Sequence, residues 1–176
     1  MEIREKIEKR CHLIIDYLQQ LEQVLPESSD EYAKNYINRN AAERLVEKVT
    51  DATTDVIALL CRIENVTSTT VLDFSTMATA LQKNEVLTKE VAQRLIELYG
   101  FKNRIMYNYG DHEMNAAYEI LISEFVPFYQ EFVEYIDDKE DHGSYDSDSD
   151  CRVHCFKDHC TTFTNAWREG FNRFSC

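Results

Sequence analysis

Gly100-Phe-Lys-Asn-Arg-Ile-Met-Tyr-Asn-Tyr109 packs two cations, two tyrosines and two amides into ten residues of an otherwise apolar-periodic segment. Upstream and within it, Val91, Leu95, Leu98 and Ile105 recur at steps of three, four or seven residues. That spacing puts one face of a helix into a core, while Lys102, Asn103 and Arg104 interrupt the pattern. Asn108 and Gly110 are stop signals. The polar residues are therefore predicted to occupy the last turns of a helix, where cations also meet the negative end of the macrodipole.

Working outward, the rest of the chain reads as the frame around this helix. Ile3, Ile7, Cys11, Ile14, Leu18, Leu21 and Leu25 describe one buried stripe, ended by Pro26. Ser28 and Glu31 have the spacing of a capping box, and a long helix is expected after them, with the stripe Ala41, Leu45, Val49, Ala52, Val56, Leu59 and Ile63. Asn65-Val-Thr67 matches a glycosylation acceptor but reads as a helix-ending turn. Thr69 or Thr70 would cap a shorter helix over 71–82, with Phe74, Met77, Ala78 and Leu81 buried. Thr88 is the expected N-cap of the central helix. A last helix from about Glu113 to Ile136, kinked at Pro127, buries Ala117, Leu121, Phe125, Phe128, Phe132 and Tyr135.

The stretch Gly100 to Tyr109 resembles the active-site segment of the HepT-like branch of the HEPN superfamily, in which Gly-Phe-Arg-Asn is followed by three apolar residues, His, any residue and Tyr. Gly100, Phe101, Asn103 and Tyr109 match, with Ile105 and Met106 in the apolar stretch. Lys102 stands where the family has arginine, Arg104 takes an apolar position, and Tyr107 replaces the histidine. Arg39-Asn-Ala-Ala-Glu-Arg44 with the later Asp55 is similar to the second helix of that family. The resemblance covers about residues 5 to 136.

It implies an all-α, four- to five-helix antiparallel bundle over residues 1–136, forming a homodimer. It also implies metal-independent RNA cleavage at a cleft between two protomers, without a cofactor, by a toxin neutralised by an MNT-type nucleotidyltransferase antitoxin. In that scheme the family arginine holds the scissile phosphate and the histidine moves protons at the ribose 2′-hydroxyl. The resemblance places Lys102, Asn103, Arg104 and Tyr107 at the catalytic positions and makes Tyr109 the AMP acceptor. A bulky anion at Tyr109, on the same helical face as Lys102, would block RNA by occupancy and repulsion.

The departures bear on chemistry. Lysine keeps the charge but loses the planar fork that grips two phosphate oxygens. A phenol titrates near pH ~10 against ~6.5 for imidazole, so Tyr107 supplies little base at neutral pH. Positions 102 and 107 lie about 140° apart on a regular helix, so they converge only if the helix breaks or a second chain contributes. Two readings stay open: a ribonuclease toxin with a degenerate motif, and a catalytically inactive module that binds RNA or protein. Arg104 as phosphate clamp and His112 as base are substitutes at other spacings. Arg39, Arg44, Lys48, Arg94, Lys102 and Arg104 would form a basic patch if their helices are neighbours. The bland alternative is surface pairing with Glu43, Glu47 and Glu97.

A formal charge of -13 argues against indiscriminate nucleic-acid binding. No apolar run approaches a membrane span and no targeting segment is apparent, so a soluble cytoplasmic protein is expected. The six cysteines then read as reduced thiols or metal ligands, with Cys11 and Cys61 as core hydrophobes. Residues 137–150, rich in Asp and Ser, read as a disordered acidic linker. The extension 151–176 gathers Cys151, His154, Cys155, His159 and Cys160 within ten residues, and zinc takes four such ligands. Their pairs interleave without the spacer of a zinc finger, so no metal is assigned and these five are candidates only. Phe163, Trp167, Phe171 and Phe174 follow at helical spacing.

Overall fold

The computed structural model describes residues 2–66, 73–107 and 114–141, and among them every regular element is helical. All of these helices lie in the first of the two units into which the chain divides, Met1–Gly143 and Ser144–Cys176. Helix α1, Ile3–Val24, buries Ile7, Cys11, Ile14, Leu18 and Leu21, the stripe its sequence spells out. A capping box starts it, with the Glu2 N–H donating to the Glu5 carboxylate at 3.1 Å.

The single long helix expected after Ser28 is two. Ser28 caps a short α2, Ser29–Lys34, its Oγ accepting from the Glu31 N–H at 3.3 Å. The chain then leaves helical geometry at Asn35, whose Oδ1 accepts from the Asn38 N–H at 3.2 Å and starts α3, Tyr36–Ile63. Asparagine offers the backbone a competing hydrogen bond, which favours a cap over a helix interior. The buried face of α3 is also wider than one stripe. Ala42, Leu45, Val46, Val49, Ala52, Val56, Ile57 and Cys61 are buried, whereas Ala41 and Leu59 are half-exposed and Ile63 is exposed. The reason is that α3 packs against α1, α2, α4 and α5 and so meets neighbours on several sides. Thr50 and Thr53 are fully buried there, each hydroxyl donating to a carbonyl four residues back at 2.8 Å. Asn65, with φ of 51°, ends the helix, and the Val66 N–H returns to the Cys61 carbonyl at 3.0 Å.

Helix α4, Phe74–Lys83, starts later than its apolar spacing suggested. Its cap is Asp73, which accepts from the Thr76 N–H at 3.0 Å and from the Thr76 hydroxyl at 2.6 Å. The expected caps Thr69 and Thr70 lie outside the described residues. Helix α5, Lys89–Tyr107, carries the central motif. Beyond it, α6 spans Met114–Ile120 and α7 spans Val126–Asp141, joined by a π-helical turn over Leu121–Phe125. Pro127 lacks an N–H and would clash with the carbonyl four residues back, and the ladder widens just before it. The expected kink is thus a change of helix type.

Helix α7 continues five residues past Ile136, into the stretch read as linker. Its last turns are tethered: the Tyr135 hydroxyl donates to the Val86 carbonyl at 3.1 Å, and the Lys139 ammonium reaches the same oxygen. The remainder of the linker and all of 151–176 lie outside the described residues. The buried side chains of α1 to α7 join in one cluster. A buried hydrogen bond from the Tyr118 hydroxyl to the Pro26 carbonyl, at 2.6 Å, ties α6 to the end of α1. No described helix is long and apolar enough to cross a membrane.

Candidate functional site

Helix α5 is set in place from its first turn. The Thr88 Oγ accepts from the Val91 N–H at 3.2 Å, as the sequence predicts. Ala92, Leu95, Leu98, Phe101 and Ile105 are then buried, and this face fixes the rotation of the helix. Phe101 is 1% exposed and its ring packs at a tilt against Phe125, 6.2 Å between centroids. Anchored there, the helix presents Lys102 half-buried and Asn103 and Arg104 exposed. Gly100 is also exposed, and a Cβ at that position would meet nothing within 4 Å.

Lys102 has an aromatic neighbour. Its Nζ lies 5.3 Å from the ring centroid of Tyr99, within cation–π range. Tyr99 in turn stacks on Phe74 of α4, with centroids 4.5 Å apart and planes within 9°. Phe74 is buried and Tyr99 half-buried, so the stack runs from the core to the surface. Tyr99 thus touches both the Phe74 ring and the Lys102 ammonium. The step of three residues from Tyr99 to Lys102 was readable in the sequence. The contribution of Phe74, from another helix, was not.

The remaining cations of the expected patch are engaged separately. Arg39 donates to the Ala33 carbonyl at 2.8 Å, touches the Met114 sulfur at 3.0 Å and lies 3.9 Å from Glu43. Burial pushes the Glu43 carboxyl up, and Arg39 pulls it back down. Arg44 pairs with Glu47, and Lys48 sits 5.1 Å over the Tyr17 ring. Arg94 pairs with Glu97 at 3.2 Å and with Glu124 at 2.7 Å. Hydrogen bonds from Gln93 and Arg94 hold the Glu97 carboxyl below its usual range. Asp55 of the family-like pattern pairs with Arg10 at 3.0 Å. Where these pairs are exposed, solvent screening leaves them worth little in stability, but they neutralise the charge locally. Lys102 and Arg104 have no carboxylate partner among the described residues.

Helix α5 is unbroken from Lys89 to Tyr107. A break between positions 102 and 107 is therefore not what brings them together within one chain. Tyr109 and His112 lie outside the described residues, as do Cys151, His154, Cys155, His159 and Cys160. Among the described residues no group of three or more His, Cys, Asp or Glu could hold a metal ion. Cys11 and Cys61 are buried, and burial pushes the Cys61 thiol up.

Three comparisons bear on this site. The family model described as ribonuclease HepT-like matches residues 14–136. A tRNA nuclease HepT of Aphanizomenon flos-aquae (strain 2012/KM1/D3) is 29% identical over 113 residues, covering 64% of this chain and 75% of that protein. Among solved structures, a tri-AMPylated Shewanella oneidensis HEPN toxin in complex with MNT antitoxin matches with a TM-score of 0.67 at 13% identity, over 78% of this chain and 99% of the other. A mutant MntA-HpeT toxin–antitoxin structure matches with a TM-score of 0.66 at 13% identity, over 76% and 98%.

Proposed function

The chain belongs to the ribonuclease HepT-like family, and from that premise we propose that it is the toxin-type member of a toxin–antitoxin pair, holding RNA on α5. The observation that carries this is electrostatic. In a chain of formal charge -13, Arg39, Arg44 and Arg94 lie against carboxylates, whereas the motif cations Lys102 and Arg104 face none among the described residues. Lys102 and Arg104 lie about 160° apart around the helix axis, so each would take a phosphate on its own side of the last turns of α5, and exposed Asn103 between them adds an amide donor and acceptor.

The cleft is shared by two copies in this reading. Because α5 stays helical through position 107, positions 102 and 107 diverge by about 140° around its axis. A second protomer then brings a facing position 107 to the phosphate held at Lys102. Cleavage of RNA would proceed by attack of the ribose 2′-hydroxyl on the adjacent phosphorus, expelling the 5′-oxygen. The residues present support binding better than proton transfer, since general acid–base help is worth roughly a hundred- to ten-thousand-fold in rate and a phenol at position 107 supplies little of it. The nucleotidyltransferase partner and the AMP acceptor Tyr109 extend to this chain what the AMPylated toxin complex displays.

The test is cleavage of labelled RNA by the native chain, by Lys102→Ala and by the double variant Lys102→Arg with Tyr107→His. Slow cleavage is expected from the native chain, none from Lys102→Ala, and a gain of at least about a hundredfold from the double variant. Inert native and double-variant proteins that still bind RNA would instead establish the non-catalytic reading. RNA binding by Lys102→Ala as tight as by the native chain would remove Lys102 from the site. For Tyr109, incubation with an MNT-type transferase and ATP should add AMP, read by mass spectrometry, and Tyr109→Phe should not be modified.

A further inference from the structure

Tyr99, Gly100 and Lys102 fall within four residues of α5 and give the helix a second feature beside its phosphate contacts. Tyr99 is stacked flat on buried Phe74 with centroids 4.5 Å apart, so its ring is fixed. The Lys102 ammonium lies over the same ring, 5.3 Å from the centroid. The next residue, Gly100, is a helical glycine with nothing within 4 Å of where a Cβ would be, so neither a positive φ nor internal packing requires it. What its missing side chain leaves is open approach to the helix from outside.

We infer that the outer face of Tyr99 is a stacking platform for an unpaired nucleobase of RNA, capped in the free protein by Lys102. The inference rests on the reading of α5 as the RNA-binding element and deepens it by naming the form of the substrate. When RNA arrives, the ammonium leaves the ring for a phosphate, and a base of the same strand takes its place against the tyrosine. Magnitudes favour the exchange. A cation–π contact at a partly exposed site is worth roughly two- to fivefold in an equilibrium, against roughly five- to a hundredfold for a base on an aromatic ring. The ammonium meanwhile gains a charge-assisted contact to phosphate. A base within a duplex has both faces covered by its neighbours, so the platform selects single-stranded loops or ends.

The experiment compares two short labelled probes on the full chain: single-stranded RNA, and a strand of the same length with abasic riboses throughout. The native protein should bind the RNA about five- to a hundredfold more tightly than the abasic strand. Tyr99→Leu should lose that advantage on RNA while binding the abasic strand as native does, and Tyr99→Phe should retain it. Equal loss on both probes would mean that the ring only supports the fold or Lys102, and no loss on either would mean that it is unused; each overturns the platform. The native comparison needs no variant to fold. Lys102→Ala with Arg104→Ala separates the two levels of the argument. If that pair weakens both probes while Tyr99→Leu fails to discriminate between them, the platform alone is wrong. If it weakens neither, the RNA-binding reading is wrong as well.

Discussion

Gly100 is where helix stability and ligand access diverge. A glycine in a helix interior costs about 0.5–1 kcal/mol relative to alanine, and here no neighbour would resist the added methyl. Gly100→Ala should therefore raise the free chain's stability by about that amount, measured by thermal or urea unfolding. The same methyl should lower affinity for RNA, because it stands beside Tyr99 on the exposed surface of the helix. A variant that is more stable and binds RNA as well as the native chain would show that the open surface at Gly100 is not used. At this scale the sequence was informative about local relations and silent about distant ones. Phe101 and Ile105 could be read as buried from their spacing with Leu98, and Lys102, four residues after Leu98, could be placed at the edge of that face. The Phe74 stack under Tyr99 could not, since it joins side chains from two helices. The contact of Arg39 with Met114 likewise spans 75 positions, and no periodicity reports it.

Helix starts and stops are set by short polar residues whose preferences are local, and most of them were legible. Thr88, Ser28 and Asn65 act where their chemistry suggests. Asn35 was missed because nothing around it is Gly or Pro, yet its side chain caps α3 and separates it from α2. Asn35→Ala should cost about 1 kcal/mol, with Asn35→Asp close to native, in an unfolding titration. The Asp73 cap of α4 makes a pH-dependent prediction. Hydrogen bonds from the Thr76 hydroxyl and N–H hold its carboxyl below the ordinary range. Folding thus favours the ionised form, so the contribution is complete above the unfolded value and is lost as pH falls through the folded one. Asp73→Ala should melt below the native protein at pH ~7, and the gap should narrow as the pH falls past the ordinary aspartate value of ~3.9 and through the lower folded one, where the native carboxyl is protonated too. A gap that persists in acid would mean that the neutral carboxyl caps as well. The π turn before Pro127 shows the limit of such reading: a proline in a helical pattern announces a local disruption but not its form.

Across the whole molecule, the formal charge of -13 opposes RNA at long range, so in the proposed reading α5 has to supply the attraction at short range. Non-specific binders draw on many cations and lose affinity steeply in salt. With Lys102 and Arg104 as the phosphate contacts, as proposed, and Arg39, Arg44 and Arg94 engaged with carboxylates, the salt dependence should be shallow. Binding to single strands changes in log K by about -0.7 per log unit of salt for each phosphate neutralised, so two cations give about -1.4 for one copy and about -2.8 for a cleft shared by two. Affinity measured across a salt series therefore reports the stoichiometry of the site, and light scattering should agree by giving twice the 20.7 kDa of one chain. Arg104→Ala should reduce the shared-cleft slope by about 1.4, because each variant protomer removes one contact from both halves of the cleft. A dimer with a slope near -1.4 would place RNA on one protomer only. A monomer with that slope would leave the phosphate contacts intact but remove the second position 107 from them, and with it the route by which this chain could cut.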